Sequence, residues 1–77
     1  MMVARAYILI ETQVGKSRDV LAALQALSNV PSVDIITGEF DMIALVEAPD
    51  MMAMADLVTG QIQSIPGVTR TITCVAA

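Results

Sequence analysis

The sequence predicts an α+β fold, with four antiparallel strands and two helices in the order β-α-β-β-α-β. Three observations lead there. Two segments, 4–12 and 42–48, are apolar on both alternating faces, as interior strands are. Two others repeat apolar residues at helical spacing behind a residue able to cap a helix. Between them fall the turn formers Gly15, Pro31, Gly38, Pro49, Pro66 and Gly67.

Ala4 to Thr12, ARAYILIET, sets Ala6, Ile8 and Ile10 on one face and Tyr7 and Leu9 on the other, which predicts a strand covered on both sides. After QVGK, Ser17 is the expected cap of a helix through about Leu27, with Val20, Leu21, Leu24 and Leu27 as its apolar stripe. SNVPS ends it. Val33 to Thr37 alternates Val33, Ile35 and Thr37 against Asp34 and Ile36, a half-exposed strand, and Gly38 opens a turn. Met42 to Ala48 opposes Met42, Ala44 and Val46 to Ile43 and Leu45, a second interior strand. Asp50 is the expected cap of a second helix with the stripe Met51, Met54, Val58, Ile62 and Ile65; Gly60 within it costs ~1 kcal/mol relative to Ala. Ile65-Pro66-Gly67 stops that helix, and Val68 to Val75, rich in threonine and β-branched residues, closes the chain as a strand.

This order is the ferredoxin-like split unit, a four-stranded antiparallel sheet whose first and third strands lie in the middle. Those are the two strands with apolar residues on both faces. Two helices cover only one face of such a sheet, so the other is expected to meet the sheet of a second subunit.

Composition points the same way. A chain of 77 residues is one domain, 1–77, and buries only about 60% of its unfolded surface. Cys74 is the sole cysteine and there is no histidine, so neither a disulfide nor a Cys/His zinc site supplies stability, and no cofactor is implied. Apolar residues and tyrosine make up 56% of the chain; with glycine added, the apolar share exceeds the usual ~45–50%. Self-association is the outlet for that surplus. No apolar run approaches the ~20 residues that span a bilayer, and Arg5 and Glu11 bracket the first one, unlike a cleavable leader; a soluble cytoplasmic protein with no membrane partner is expected. Four basic against eight acidic residues, a net charge of −4, argue against direct nucleic-acid binding.

Several short motifs have plain structural readings. Gly15-Lys16-Ser17 leads into a helix but lacks the glycine five residues earlier that a phosphate loop needs; Ile10 stands there. Met51, Met52 and Met54 suit core or interface filling, and Thr69, Thr71 and Thr73 a strand face. Cys74, in an apolar strand with no histidine to activate it, reads as a buried small hydrophobe. Glu39 and Asp41 flank Phe40 in ITGEFDM: by spacing alone they either solvate a hairpin turn or hold something.

The stretches VDIITGEFDMIALVEAPDMMAMADLV and IPGVTRTITCV decide further. They resemble the ligand-binding domain, also called the RAM domain, of the Lrp/AsnC transcriptional regulator family over essentially the whole chain. The strongest markers are the turn Gly38-Glu39-Phe40-Asp41 and the Pro66-Gly67-Val68 start of a last strand bearing Thr71 and Thr73. The resemblance implies a dimeric α/β barrel, often assembled into an octamer of four dimers, that binds amino acids or related effectors between dimers. Full-length members carry a helix-turn-helix. With nothing ahead of the first strand, this chain resembles a stand-alone form, expected to act on transcription only through full-length relatives. Carried over residue by residue, the resemblance assigns Thr37, Gly38, Glu39 and Asp41 to the effector loop. Asp41 would face the ligand's ammonium and the Gly38 backbone would approach closely. Ile35, Met51, Thr71 and Thr73 join the same pocket, some of them from a neighbouring subunit. Glu39 is expected chiefly to solvate the loop.

Three function classes follow. The favoured one is a non-catalytic, oligomeric amino-acid-binding domain. A dimeric α/β-barrel enzyme is the second; without histidine, with one lysine, only a carboxylate such as Asp41 is available as a base. The third is an association module without ligand, which a pocket filled by Met51 or Phe40 would favour.

Overall fold

The structure, a computed structural model, describes residues 3–77. Its elements are β1 (Ala4–Thr12), α1 (Ser17–Gln25), β2 (Ser32–Ile35), β3 (Met42–Ala48), α2 (Met51–Leu57), a π-helical turn (Val58–Ile62) and β4 (Val68–Val75). All strand pairings are antiparallel and the sheet order is β2-β3-β1-β4, so the two strands with apolar residues on both faces are the central ones.

Strand register settles which face the helices take. Ala6, Ile8 and Ile10 of β1 lie beside Val46, Ala44 and Met42 of β3, and all six are fully buried. Val20 and Leu24 of α1 close over them with Met54, Leu57, Val58 and Ile62. Each large aliphatic side chain so buried contributes about 1.5–3 kcal/mol. The opposite face carries Tyr7, Leu9, Ile43, Leu45 and Ile72, with Tyr7 44% and Ile72 43% exposed. Among the described residues nothing covers it.

Several boundaries differ from the sequence expectation, each for a local reason. Ser17 does not cap α1: Lys16 occupies the cap position in a helical conformation without a side-chain bond, while the Ser17 hydroxyl pairs with that of Thr12 at 2.8 Å. An N-cap side chain needs extended backbone to reach back to the first turn, and residue 16 is not extended. The helix ends at Gln25, two residues short of Leu27, because the amide of Leu27 bonds Leu24 in a tighter turn. Asn29 then ties the connection to β3 by a two-way backbone and side-chain exchange with Glu47. β2 ends at Ile35 rather than Thr37: the amide of Ile36 still bonds the carbonyl of Asp41, 3.0 Å away and next in register, and beyond it Gly38, at φ +141°, turns the chain.

The second helix is α-helical only to Leu57. From Val58 the ladder widens, the amide of Gln63 bonding the carbonyl of Val58. Thr59 and Ser64 hydroxyls bond back to the carbonyls of Ala55 and Gly60, competition of the kind that loosens an α-helical ladder. Within the α-helical part, Leu57 lies three residues after Met54 on the buried face and Met51 is half exposed, whereas the expected stripe held Met51 and omitted Leu57. Cys74 is exposed rather than buried, because it lies opposite Tyr7 on the uncovered face.

Asp50 does cap α2: extended backbone lets its Oδ1 accept from the amide of Ala53 at 2.8 Å. Asp50→Ala is expected to cost about 1 kcal/mol, read as a lower urea midpoint at constant slope. An unchanged midpoint would remove the cap from the account.

Candidate functional site

The residues singled out at the turn gather at one end of the sheet. Between β2 and β3 the chain passes Thr37, Gly38 and Glu39, all exposed, then buries Phe40 and returns at Asp41. Gly38 has φ +141°, a conformation that side-chain-bearing residues rarely adopt, and a Cβ there would meet nothing within 4 Å, so its surroundings are open.

Asp41 is anchored. Its amide donates to the carbonyl of Ile10, and its Oδ2 accepts from the Thr12 amide at 2.8 Å and the Thr12 hydroxyl at 3.3 Å. The Thr12 hydroxyl is in turn placed by Ser17. Two donors converge on one oxygen and orient the carboxylate. They do so where β1 departs from regular register between Glu11 and Thr12, which frees the Thr12 amide for a side-chain partner.

The Glu39 side chain is 83% exposed, as a loop-solvating residue is, and makes one long contact. Its carboxylate lies 3.5 Å from Nη2 of Arg70, which also stands 4.0 Å from Glu11 and whose guanidinium lies over the Phe40 ring, 4.7 Å from the centroid. Sequence reasoning gave Arg70 and Thr12 no role and took Phe40 only as a marker of the turn or a filler of the pocket. The one signal present was Arg70 as the only basic residue in the last strand; its partners are remote in the chain.

The remaining candidates lie elsewhere. Met51 and Thr73 share a groove of about 300 Å³ between α2, the π-helical turn and β4, which Met51 lines rather than fills. Thr71 accepts a bond from Gln63 at 3.0 Å and borders a cleft of about 420 Å³ with Gln63, Val68, Thr69 and Arg70. Ile35 and Thr71 stand in one row across the sheet, through Met42 and Ile10, but at opposite edges, three strand spacings or about 14 Å apart. One protomer therefore unites Thr37, Gly38, Glu39 and Asp41 in the loop and Met51 with Thr73 in the groove, while Thr71 borders a separate cleft, and these groups do not join into one pocket.

Among the described residues there is no cluster of acidic or cysteine side chains able to hold a metal ion, and no helix long and apolar enough to cross a membrane.

Comparison with known proteins adds an independent line. A family model described as the Lrp/AsnC ligand binding domain matches residues 5–77. The structure of FFRP-DM1 is 31% identical, with 96% of this chain and 99% of that one covered and a TM-score of 0.93. TTHA0845 from Thermus thermophilus is 34% identical over 96% of this chain and 92% of its own, with a TM-score of 0.91. The transcriptional regulator NMB0573 from Neisseria meningitidis, in complex with L-Met, shares the fold at 24% identity and a TM-score of 0.88; 96% of this chain covers 49% of that one. A comparison with curated proteins finds no match.

Proposed function

The chain belongs to the Lrp/AsnC ligand-binding-domain family, and from that membership we propose that it is a non-catalytic domain, single over residues 1–77, that binds a free amino acid as effector. It works in the cytoplasm as a homo-oligomer, a dimeric α/β barrel built from two open sheet faces and extended to an octamer, and it modulates transcription through full-length relatives. The observation that carries the reading is the Asp41 carboxylate, oriented through Oδ2 by Thr12 beside an open glycine turn. An oriented carboxylate is a fitting acceptor for an ammonium group. The L-Met bound by NMB0573 supports an amino acid as the class of ligand. Thr37, Gly38 and Glu39 complete the loop, while Ile35, Met51, Thr71 and Thr73 enter the pocket across the contact between dimers.

The test is calorimetry of the unmodified protein against the twenty standard L-amino acids, followed by Asp41→Asn. Asn keeps the shape and removes the charge, so binding is expected to weaken by roughly 2–4 kcal/mol, about 30-fold to several hundred-fold, at unchanged oligomer size. Asp56→Asn, on the exposed side of α2, controls for the loss of one charge and is expected to bind as the unmodified protein does. Equal affinity for Asp41→Asn would remove Asp41 from the site. No binding by any amino acid would leave an association module as the better reading.

A further inference from the structure

Arg70 is oriented firmly but bonded weakly. The Phe40 ring beneath its guanidinium is buried, so the planar group has a fixed support. Its two carboxylate partners are a different matter. At 3.5 Å and 4.0 Å, Glu39 and Glu11 both stand outside the ~2.7–2.9 Å of a charge-assisted hydrogen bond. The Glu39 side chain is 83% exposed, where an ion pair contributes little. Glu11 already accepts the Thr69 hydroxyl at 2.7 Å. A guanidinium can grip a carboxylate with two parallel bonds, and here that capacity is largely unspent.

Its position gives the capacity a use. Arg70 stands opposite Glu11 in the sheet and borders the 420 Å³ cleft, and the ring under its guanidinium belongs to the residue next to Asp41. A cation and an oriented carboxylate at one end of the sheet complement a zwitterion. The chain's net charge of −4 disfavours a free carboxylate unless a local cation receives it. Of the other basic residues, Arg5 is paired in register with Glu47 at the far end of β1 and Lys16 and Arg18 flank Ser17 at the start of α1, whereas the Arg70 guanidinium meets the loop directly, over Phe40 and beside Glu39.

Resting on the amino-acid reading above, we propose that Arg70 recognises the effector's carboxylate and that Glu39 is the resident counter-ion which that carboxylate displaces. An exposed single-point pair is exchanged for a two-point one, and the charge on the guanidinium stays balanced throughout. The site then takes free α-amino acids and discriminates against amines and against amino acids whose carboxyl is blocked.

The experiment compares the amino acid that binds the unmodified protein with its α-carboxamide, which keeps the ammonium and side chain but has no carboxylate. Arg70→Gln is expected to weaken the free amino acid by about 30-fold or more and to leave the carboxamide within about 3-fold, whereas Asp41→Asn weakens both. Glu39→Gln, with the guanidinium still in place, is expected to strengthen the free amino acid by about 2- to 5-fold, because a competing counter-ion has been removed. Retained affinity in Arg70→Gln, equal loss for both compounds, or weaker binding in Glu39→Gln would each overturn the assignment of Arg70. If amino acids bind and only these Arg70 and Glu39 results fail, the amino-acid reading stands without it; if no amino acid binds, both fall.

Discussion

Leu9→Glu is expected to abolish the oligomer, leaving single chains or aggregate. Leu9 stands at the centre of the uncovered sheet face, paired in register with Ile43 on one side and Ile72 on the other, with Tyr7 and Leu45 alongside. Two such faces packed together would remove that apolar surface from water, at about 25 cal/mol for each Å² buried. A carboxylate placed there is left without a partner in the contact, which costs at least ~3 kcal/mol and weakens association by more than about 100-fold. Native mass spectrometry and light scattering of the unmodified protein at micromolar concentration should report an oligomer, and of Leu9→Glu a single chain or aggregate. Met52→Glu is the control. Met52 is 77% exposed on α2, on the helix-covered side of the sheet, and a charge there should leave assembly intact. A single-chain mass for the unmodified protein would refute the proposed face-to-face contact outright.

Gly67→Ala is expected to be the costliest small substitution in the turn that begins β4. Gly67 has φ +101°, and a Cβ there would stand 2.8 Å from Lys16 Cβ and 3.1 Å from Val20 Cγ2. Lys16 Cβ is bonded directly to the backbone at the start of α1 and cannot swing aside. Backbone strain of about 1–2 kcal/mol and overpacking of about 1–3 kcal/mol together predict a loss of roughly 2–5 kcal/mol. For a domain of this size each kcal/mol is worth about 4–8 °C of melting temperature. The carbonyl of Gly67 also receives the amide of Gln13 at 2.8 Å, so the same shift would disturb the end of β1 and the strand that carries Arg70. Gly60→Ala gives the contrast. Nothing lies within 4 Å of a Cβ at residue 60 and its φ is not in the left-handed region, so alanine should be neutral or stabilising by up to ~1 kcal/mol. Equal melting temperatures for the two variants, at one protein concentration, would show that close packing at Gly67 does not limit stability.

Local pattern alone determined a good deal of this protein. Period-two runs in 4–12 and 42–48 identified the central strands, because apolar residues on both alternating faces mark the interior of a sheet rather than its edge. The Asp50 cap and the start and end of β4 were equally legible, since each depends on residues a few positions apart. So was the Gly38 turn.

The tertiary structure decided the rest, and the reason is distance along the chain. The even-numbered set Ala6, Ile8 and Ile10 and the odd-numbered pair Tyr7 and Leu9 are both apolar, so periodicity could not choose the helix-facing side. The choice fell when the connections through α1 and α2 brought Val20, Leu24, Met54 and Ile62 down on the even set. Ser17 looked like a helix cap by position but turned to Thr12, a partner presented by β1. Asp41 is oriented by Thr12, 29 positions earlier, and Arg70 meets Glu39 across 31 positions and Phe40 across the same turn. No local period encodes such pairs. They exist because antiparallel register sets the end of β1 between the β2–β3 loop and the first turn of β4, which places one carboxylate and one guanidinium at the same end of the sheet.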